Sequence, residues 1–141
     1  MKVLVDTSVW SLALRRKSEA LSAAEKWIAA ELSELIGEGR AAIIGVVRQE
    51  LLSGVRTAEQ YEKLRAHLHA FDDEPIDRAD YEHAAKFGNQ CRAKGIAVFL
   101  VDILICAVAI KRGCAIFTTD PDFAAYAKVL PIKLHQPRKS L

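Results

Sequence analysis

Apolar residues fall along this chain in short unbroken runs, separated by longer stretches where they recur every three or four positions. The unbroken runs predict strands at Lys2 to Val5, Ala41 to Val46 and Ala115 to Thr118. None alternates apolar with polar residues, so each reads as a strand buried on both faces. A further strand is expected from Leu130 to Leu134. It belongs at a sheet edge, because Pro131 has no N–H to give a central ladder.

Helical spacing fills the intervals. Ser22 and Glu25 have capping-box spacing and open a helix on which Trp27, Ile28, Leu32, Leu35 and Ile36 share a face. Gly37 and Gly39 stop it. A short helix with Arg48, Glu50, Leu51 and Leu52 ends by Gly54. Thr57 and Gln60 cap the next, striped by Tyr61, Leu64, Leu68 and Phe71. Asp77 is expected to cap a helix ending at Gly95. Asp102 should open an apolar helix that runs to Arg112 and stops at Gly113. Pro121 suits the first turn of a helix capped by Asp120. The stretch between Val5 and Ser22 is read as basic, with no element assigned to it. Strands alternating with helices predict a single α/β domain over residues 1–141: a three-layer α/β/α sandwich with a central parallel sheet.

Composition changes this picture little. Half the residues are hydrophobic (51%) and 27% are charged, as in a soluble globular protein. A net charge of +2 does not by itself imply nucleic-acid binding. Basic residues do gather at Arg15, Arg16 and Lys17, and at Arg92 and Lys94. Cys91, Cys106 and Cys114 follow no metal-binding spacing and read as buried, reduced thiols. His67 and His69 stand two apart and would face different ways on a helix, so zinc is not expected. The apolar stretch from Ile96 to Ile110 is too short to span a bilayer and contains Asp102. The first residues lack a secretory signal pattern, and a cytoplasmic protein is expected.

The candidate chemistry lies in acids at element ends: Asp6, Glu50, Asp102 and Asp120, with Asp122 beside the last. In a parallel sheet the site forms outside the carboxyl ends of the strands. Asp6 follows the first strand, Glu50 the second by a helical turn, and Asp120 the third. Singly, each has a plainer reading. Asp6, Asp102 and Asp120 suit helix caps, Asp122 a helix's first turn, and Glu50 a solvated helix face. Together they are costly. Two like charges about 4 Å apart repel by roughly 4 kcal/mol at an effective dielectric near 20. Such a pocket takes up a divalent cation or protons, and it points to metal-assisted cleavage of a phosphodiester.

At these acids the chain resembles PIN-domain ribonucleases, specifically the VapC-like toxins of type II toxin–antitoxin modules. The matching segments are Val5-Asp6-Thr7-Ser8-Val9-Trp10, Glu50-Leu51-Leu52-Ser53-Gly54, Gly95 to Asp102 leading into Ile105-Cys106-Ala107, and Thr118-Thr119-Asp120-Pro121-Asp122-Phe123. They follow in the family's order across nearly the whole chain. The resemblance implies an endoribonuclease dependent on Mg2+, with Mn2+ as the alternative, that inhibits translation. It implies an acid quartet of Asp6, Glu50, Asp102 and Asp120, with Asp6 and Asp102 the most direct ligands. It implies Asp122 one layer behind the metal, with Thr7, Ser8 and Thr118 as hydroxyls nearby. It also implies products with a 5′-phosphate and a 3′-hydroxyl, a homodimer, and a small antitoxin protein as partner. Ala97, Phe99 and Cys106 depart from the family pattern; none removes a metal ligand.

RNA approaching an acidic pocket calls for a basic rim, for which Arg15, Arg16, Lys17, Arg48, Arg92 and Lys94 are candidates. Trp10 reads as core in preference to a base-stacking platform. Trp27, Leu35, Leu51 and Leu68 read as core, with an antitoxin groove as the other use. A haloacid-dehalogenase-type phosphatase would need a second Asp where Ser8 stands. A receiver-type phosphoacceptor lacks its acidic pair and late Lys. A PIN-like module that binds RNA or protein without cutting, and a DNA- or flap-directed nuclease, remain as alternatives.

Overall fold

The computed structural model describes residues 1–138, so the last three residues of the expected domain lie outside the described part. Three parallel strands form the sheet: β1 (Val3–Val5), β2 (Ala41–Ala42) and β3 (Ala115–Phe117), in the order β2-β1-β3. Val3 pairs with Ala41 on one side and Ala115 on the other, and Val5 pairs with Phe117. β1 is central and wholly buried. Seven helices flank the sheet: α1 (Thr7–Leu14), α2 (Ala23–Gly37), α3 (Gly45–Leu52), α4 (Ala58–Leu68), α5 (Arg78–Ala93), α6 (Leu100–Arg112) and α7 (Asp122–Tyr126). This is the α/β/α sandwich that the unbroken apolar strands predicted. Among the described residues, no helix is long and apolar enough to cross a membrane.

Local signals placed several helices well. Ser22 and Glu25 make both bonds of the capping box on α2. Asp77 makes the same box with Asp80 on α5, and Thr57 accepts from the Gln60 N–H on α4. Gly113 takes a left-handed conformation (φ 67°) that releases the chain from α6 into β3.

Six expectations need correction. The segment Thr7–Leu14, read only as the start of a basic stretch, is helix α1. Its Thr, Ser and Val residues are weak helix formers, and tertiary packing of buried Val9, Trp10 and Leu12 decides the outcome. β2 stops at Ala42 instead of continuing to Val46. Ile43 bridges to Asp73, and α3 begins at Gly45. Ile36 is exposed, turned away from the face that buries Leu32 and Leu35. Asp102 does not cap α6: Phe99 holds that position, and Asp102 sits in the first turn. Pro121, not Asp120, flanks α7. The edge strand expected at Leu130 to Leu134 reduces to one parallel bridge, Leu134 to Ile116.

α6 carries the centre of the core. Every residue from Ile103 to Ala109 is buried, so this helix is apolar all round between Asp102 in its first turn and Lys111 and Arg112 in its last. Fully burying a large aliphatic side chain is worth roughly 1.5–3 kcal/mol. All three cysteines are free and buried, and burial pushes their thiols above the usual range. The chain's last described segment is tied to α2 through Glu31, a buried carboxylate. Burial pushes its pKa up, but Arg138 and then His135, at 3.1 Å and 2.6 Å, together hold it below the ordinary value.

Candidate metal centre

β1 and β3 end side by side, and the chain leaving each carries the site. The Asp6 N–H donates to the Phe117 carbonyl at 2.9 Å, one step beyond the ladder. This fixes Asp6 against the Thr118–Asp120 turn. Asp6 flanks α1 but makes no side-chain cap. Its carboxylate is buried and turns inward, where its Oδ2 accepts from Ser8 Oγ (2.7 Å) and Thr118 Oγ1 (2.8 Å).

Those two hydroxyls form a brace. Ser8 Oγ also accepts from the Thr119 N–H (3.0 Å), and Thr118 Oγ1 accepts from the Asp120 N–H (3.0 Å). A hydroxyl has one proton to give, and both protons are committed to Asp6. Thr118 therefore couples Asp6 to the backbone of Asp120. Asp120 Oδ1 accepts from the Asp122 N–H at 2.9 Å, which fixes the start of α7.

Carboxylate oxygens of Asp102, Asp120 and Asp122 lie within 4.8 Å of one another, and all three residues are half-buried. Asp102 comes from the first turn of α6, the other two from the turn into α7. Burial pushes the Asp102 carboxyl up to about 6, and the negative charges of Asp6, Asp120 and Asp122 push the same way. Two features oppose this: the Tyr126 hydroxyl donates to Asp102 Oδ2 at 3.1 Å, and the α6 N-terminus favours an anion by about 0.3–1 kcal/mol. Desolvation and like charge outweigh both.

The donor set suits a hard cation. Every candidate ligand is a carboxylate oxygen, with hydroxyls behind it and no thiol or imidazole in the cluster, the pattern that fits magnesium or manganese rather than zinc. A divalent cation would relieve the repulsion that raises Asp102. The residues present therefore fit such an ion.

The acids do not all meet. Asp102, Asp120 and Asp122 converge, and Asp6 is close enough for its charge to act on Asp102. Asp122, expected one layer back, stands in the cluster itself. Glu50 is exposed on α3 and accepts from Thr7 Oγ1 at 2.6 Å, so Thr7 serves the outer acid and Ser8 the inner one. Tyr126 was not foreseen. Its only sequence sign is an aromatic pair, Phe123 and Tyr126, following the Asp120–Asp122 turn. Both are fully buried, 5.4 Å apart in an edge-on contact.

The basic candidates separate as clearly. Arg48 is removed from any rim: its guanidinium donates to Asp73 (2.9 Å), to the Leu68 carbonyl (2.9 Å) and to the Phe71 carbonyl. Arg16 is paired with Glu25 at 2.7 Å, and Arg92 reaches Asn89 at 3.3 Å. Arg15, Lys17 and Lys94 are exposed. Trp10 is fully buried, its indole N–H donating to the Val5 carbonyl at 3.1 Å, so it belongs to the core. Leu35, Leu51 and Leu68 are core as well, and Trp27 is half-buried.

Thr118→Val keeps the side chain's shape and removes the two bonds that Thr118 contributes to the brace. It is expected to weaken Mn2+ binding ~10–100-fold, the usual cost of losing a group that orients a ligand, while Thr118→Ser retains it. Titration calorimetry on the two variants checks this; equal affinities would show that the brace does not set the site.

The family model described as PIN domain matches residues 3–129. No curated protein matches the chain significantly. Among solved structures, a chain of FitAcB from Neisseria gonorrhoeae superposes with a TM-score of 0.75 at 20% identity, covering 96% of this chain and 97% of that one. A chain of VapBC2 from Rickettsia felis, bound to a DNA fragment from their promoter, superposes with a TM-score of 0.74 at 16% identity (96% and 98% covered). VapBC-5 from Mycobacterium tuberculosis, a member of the VapBC family of toxin-antitoxin systems, gives 0.66 at 22% identity (96% and 98% covered). At these identities the likeness is one of fold.

Proposed function

This chain belongs to the PIN-domain family, and on that premise we propose that it is a metal-dependent endoribonuclease, the toxin of a toxin–antitoxin pair. The observation that carries the reading is the convergence of Asp102, Asp120 and Asp122, with Asp102 pushed up to about 6. Structural neighbours that are toxin–antitoxin complexes support the biological role. On the same reading the nuclease domain spans residues 1–141, and it acts in the cytoplasm as a homodimer held in check by a small antitoxin.

In this mechanism Asp102, Asp120 and Asp122 would hold a Mg2+ or Mn2+ ion, with Asp6 near enough for its charge to act on Asp102 and Glu50 at the outer rim. A bound divalent cation supplies Lewis acidity, neutralising charge on the scissile phosphate and making a water more acidic. The protein's own part is to keep the carboxylates in place before substrate arrives. Tyr126 steers Asp102 from behind, Ser8 and Thr118 steer Asp6, and Thr7 steers Glu50. Because the Asp102 carboxyl titrates near 6, ion binding must displace a proton below that pH and need not above it. Cleavage should therefore rise with pH through about 6.

The deciding experiment is incubation of antitoxin-free protein with total cellular RNA in Mg2+, in Mn2+ and in chelator. Discrete fragments that need the metal are expected. Intact RNA in every condition, from protein shown to be folded, would favour the non-catalytic binding module.

A further inference from the structure

A cleft at the far end of α1 from the metal centre carries positive charge that no ion pair neutralises. It is lined by Arg15, Arg56, Gln60, Lys63 and His67 over a floor that includes Leu64, and no carboxylate lines it. Its four basic side chains are exposed. Among the described residues, none of them has an ion-pair partner. Unpaired cations also occur singly elsewhere on the surface, as at Lys86 and Lys133; what sets this cleft apart is that three of them line one concavity with no carboxylate among the lining residues. Three unpaired cations in one concavity make a strong local field from a chain whose net charge is only +2.

The cleft's construction is directional. Gln60, Lys63, Leu64 and His67 stand at i, i+3, i+4 and i+7 on α4, one stripe of one face. Arg15 follows the last turn of α1, and Arg56 comes from the turn after α3. These two helices also build the metal centre's outer edge. Thr7 begins α1 and bonds to Glu50 on α3. Ser53 lines the hollow around Thr7 and Glu50, and its neighbour Gly54 lines the basic cleft. The eight residues of α1 span ~12 Å, so the cations begin a few nucleotides' length from the acids.

We propose that this cleft is a phosphate-binding subsite for single-stranded RNA, with Arg15, Arg56 and Lys63 holding the backbone on one side of the scissile bond. The inference rests on the ribonuclease reading for its ligand. It assigns substrate contacts to Arg56 and Lys63, which the basic clusters along the chain did not single out. An acidic segment of a protein partner is the competing occupant. The α1-to-α3 continuity with the carboxylates favours the nucleic acid.

The test is fluorescence-anisotropy binding of a labelled twelve-nucleotide RNA, in chelator so that nothing is cut, across a salt series. Wild type is compared with Arg56→Gln/Lys63→Gln and with the charge-matched Lys86→Gln/Lys133→Gln. The first pair is expected to bind roughly 10-fold more weakly at low salt. Its log–log salt slope should be shallower by about 1.4, two phosphates at ~0.7 each. The second pair should behave as wild type. Equal slopes for wild type and Arg56→Gln/Lys63→Gln would overturn the subsite. So would loss of binding to a poly-glutamate peptide with RNA binding intact. Cleavage is scored separately: wild type that cuts RNA while this pair binds normally refutes the cleft alone, and wild type that binds with the expected slope but never cuts refutes the nuclease alone.

Discussion

Asp102→Asn is expected to slow RNA cleavage by ~10³-fold while making the metal-free protein harder to unfold. The first effect follows from the ion's contribution. Neutralising a phosphoryl transition state is worth several kcal/mol, and each ~1.4 kcal/mol is tenfold in rate. An amide is a neutral and weaker ligand, and Asp120 and Asp122 alone do not rebuild the charge. The second effect has the opposite sign because, without an ion, the ionised Asp102 carboxylate is poorly accommodated. Its pKa is raised from 3.8 to about 6, first by burial and then by its acidic neighbours. A raised acid favours the folded state when protonated, so its ionisation removes stability as pH climbs from the unfolded value to the folded one. The variant's advantage should be absent below about pH 4 and grow to its full size above about 6. Asp102 is only half-buried, so solvent screening reduces the gain to something on the order of 1–2 kcal/mol. Adding Mg2+ should raise the melting temperature of wild type more than that of the variant. Melts at pH 4 and pH 7.5, with chelator and with Mg2+, check the sign, and single-turnover cleavage checks the rate. A variant that cuts normally would remove Asp102 from the machinery. One that is less stable than wild type at pH 7.5 would remove the repulsion argument.

The same residue shows where sequence reading reaches and where it stops. Buried parallel strands leave unbroken apolar runs, so β1 and β3 were legible, and with them the sheet edge that carries Asp6 and Asp120. Caps at Ser22, Asp77 and Thr57 are signals four residues long, and all three form as read. The grouping of acids into one region could be inferred from the rule for parallel sheets. Which acids touch could not. Asp122 joins Asp102 because the start of α7 meets the first turn of α6, a contact with no local sign. Tyr126 reaches Asp102 across 24 positions of sequence. Arg48 looked like any exposed arginine beside Glu50. Only the fold reveals that the carbonyls of Leu68, which ends α4, and of Phe71, just beyond it, bind its guanidinium. The basic cleft was invisible for a related reason. Arg15, Arg56, Lys63 and His67 are scattered through three segments, and their lack of counter-ions is a property of the surface rather than of any run of residues.

Trp10→Ala should cost about 3–5 kcal/mol of stability, as truncation of a large buried aromatic does, out of a total of roughly 5–15 kcal/mol for a domain. Trp10 is fully buried, packs edge-on against Phe71 with ring centroids 4.9 Å apart, and donates its indole N–H to the carbonyl that ends β1. Alanine would open a cavity in the core and leave that carbonyl without its partner. Trp10→Phe fills most of the cavity and loses only the bond, so about 1–2 kcal/mol is expected. The consequence reaches the site because α1 is a helix by packing rather than by propensity. Trp10 is the largest of the three residues that bury it, and Thr7 and Ser8, which hold Glu50 and Asp6, form its first turn. In Trp10→Phe, residual misplacement of Ser8 should therefore appear as weakened Mn2+ binding with RNA affinity in chelator unchanged. A base-stacking role predicts the reverse: melting unaffected in either variant, and RNA affinity falling in Trp10→Ala by the ~1–3 kcal/mol that a stacked base is worth. Thermal melts and anisotropy binding on the same two proteins distinguish a structural tryptophan from a substrate contact. Unchanged melting in Trp10→Ala would sink the structural reading.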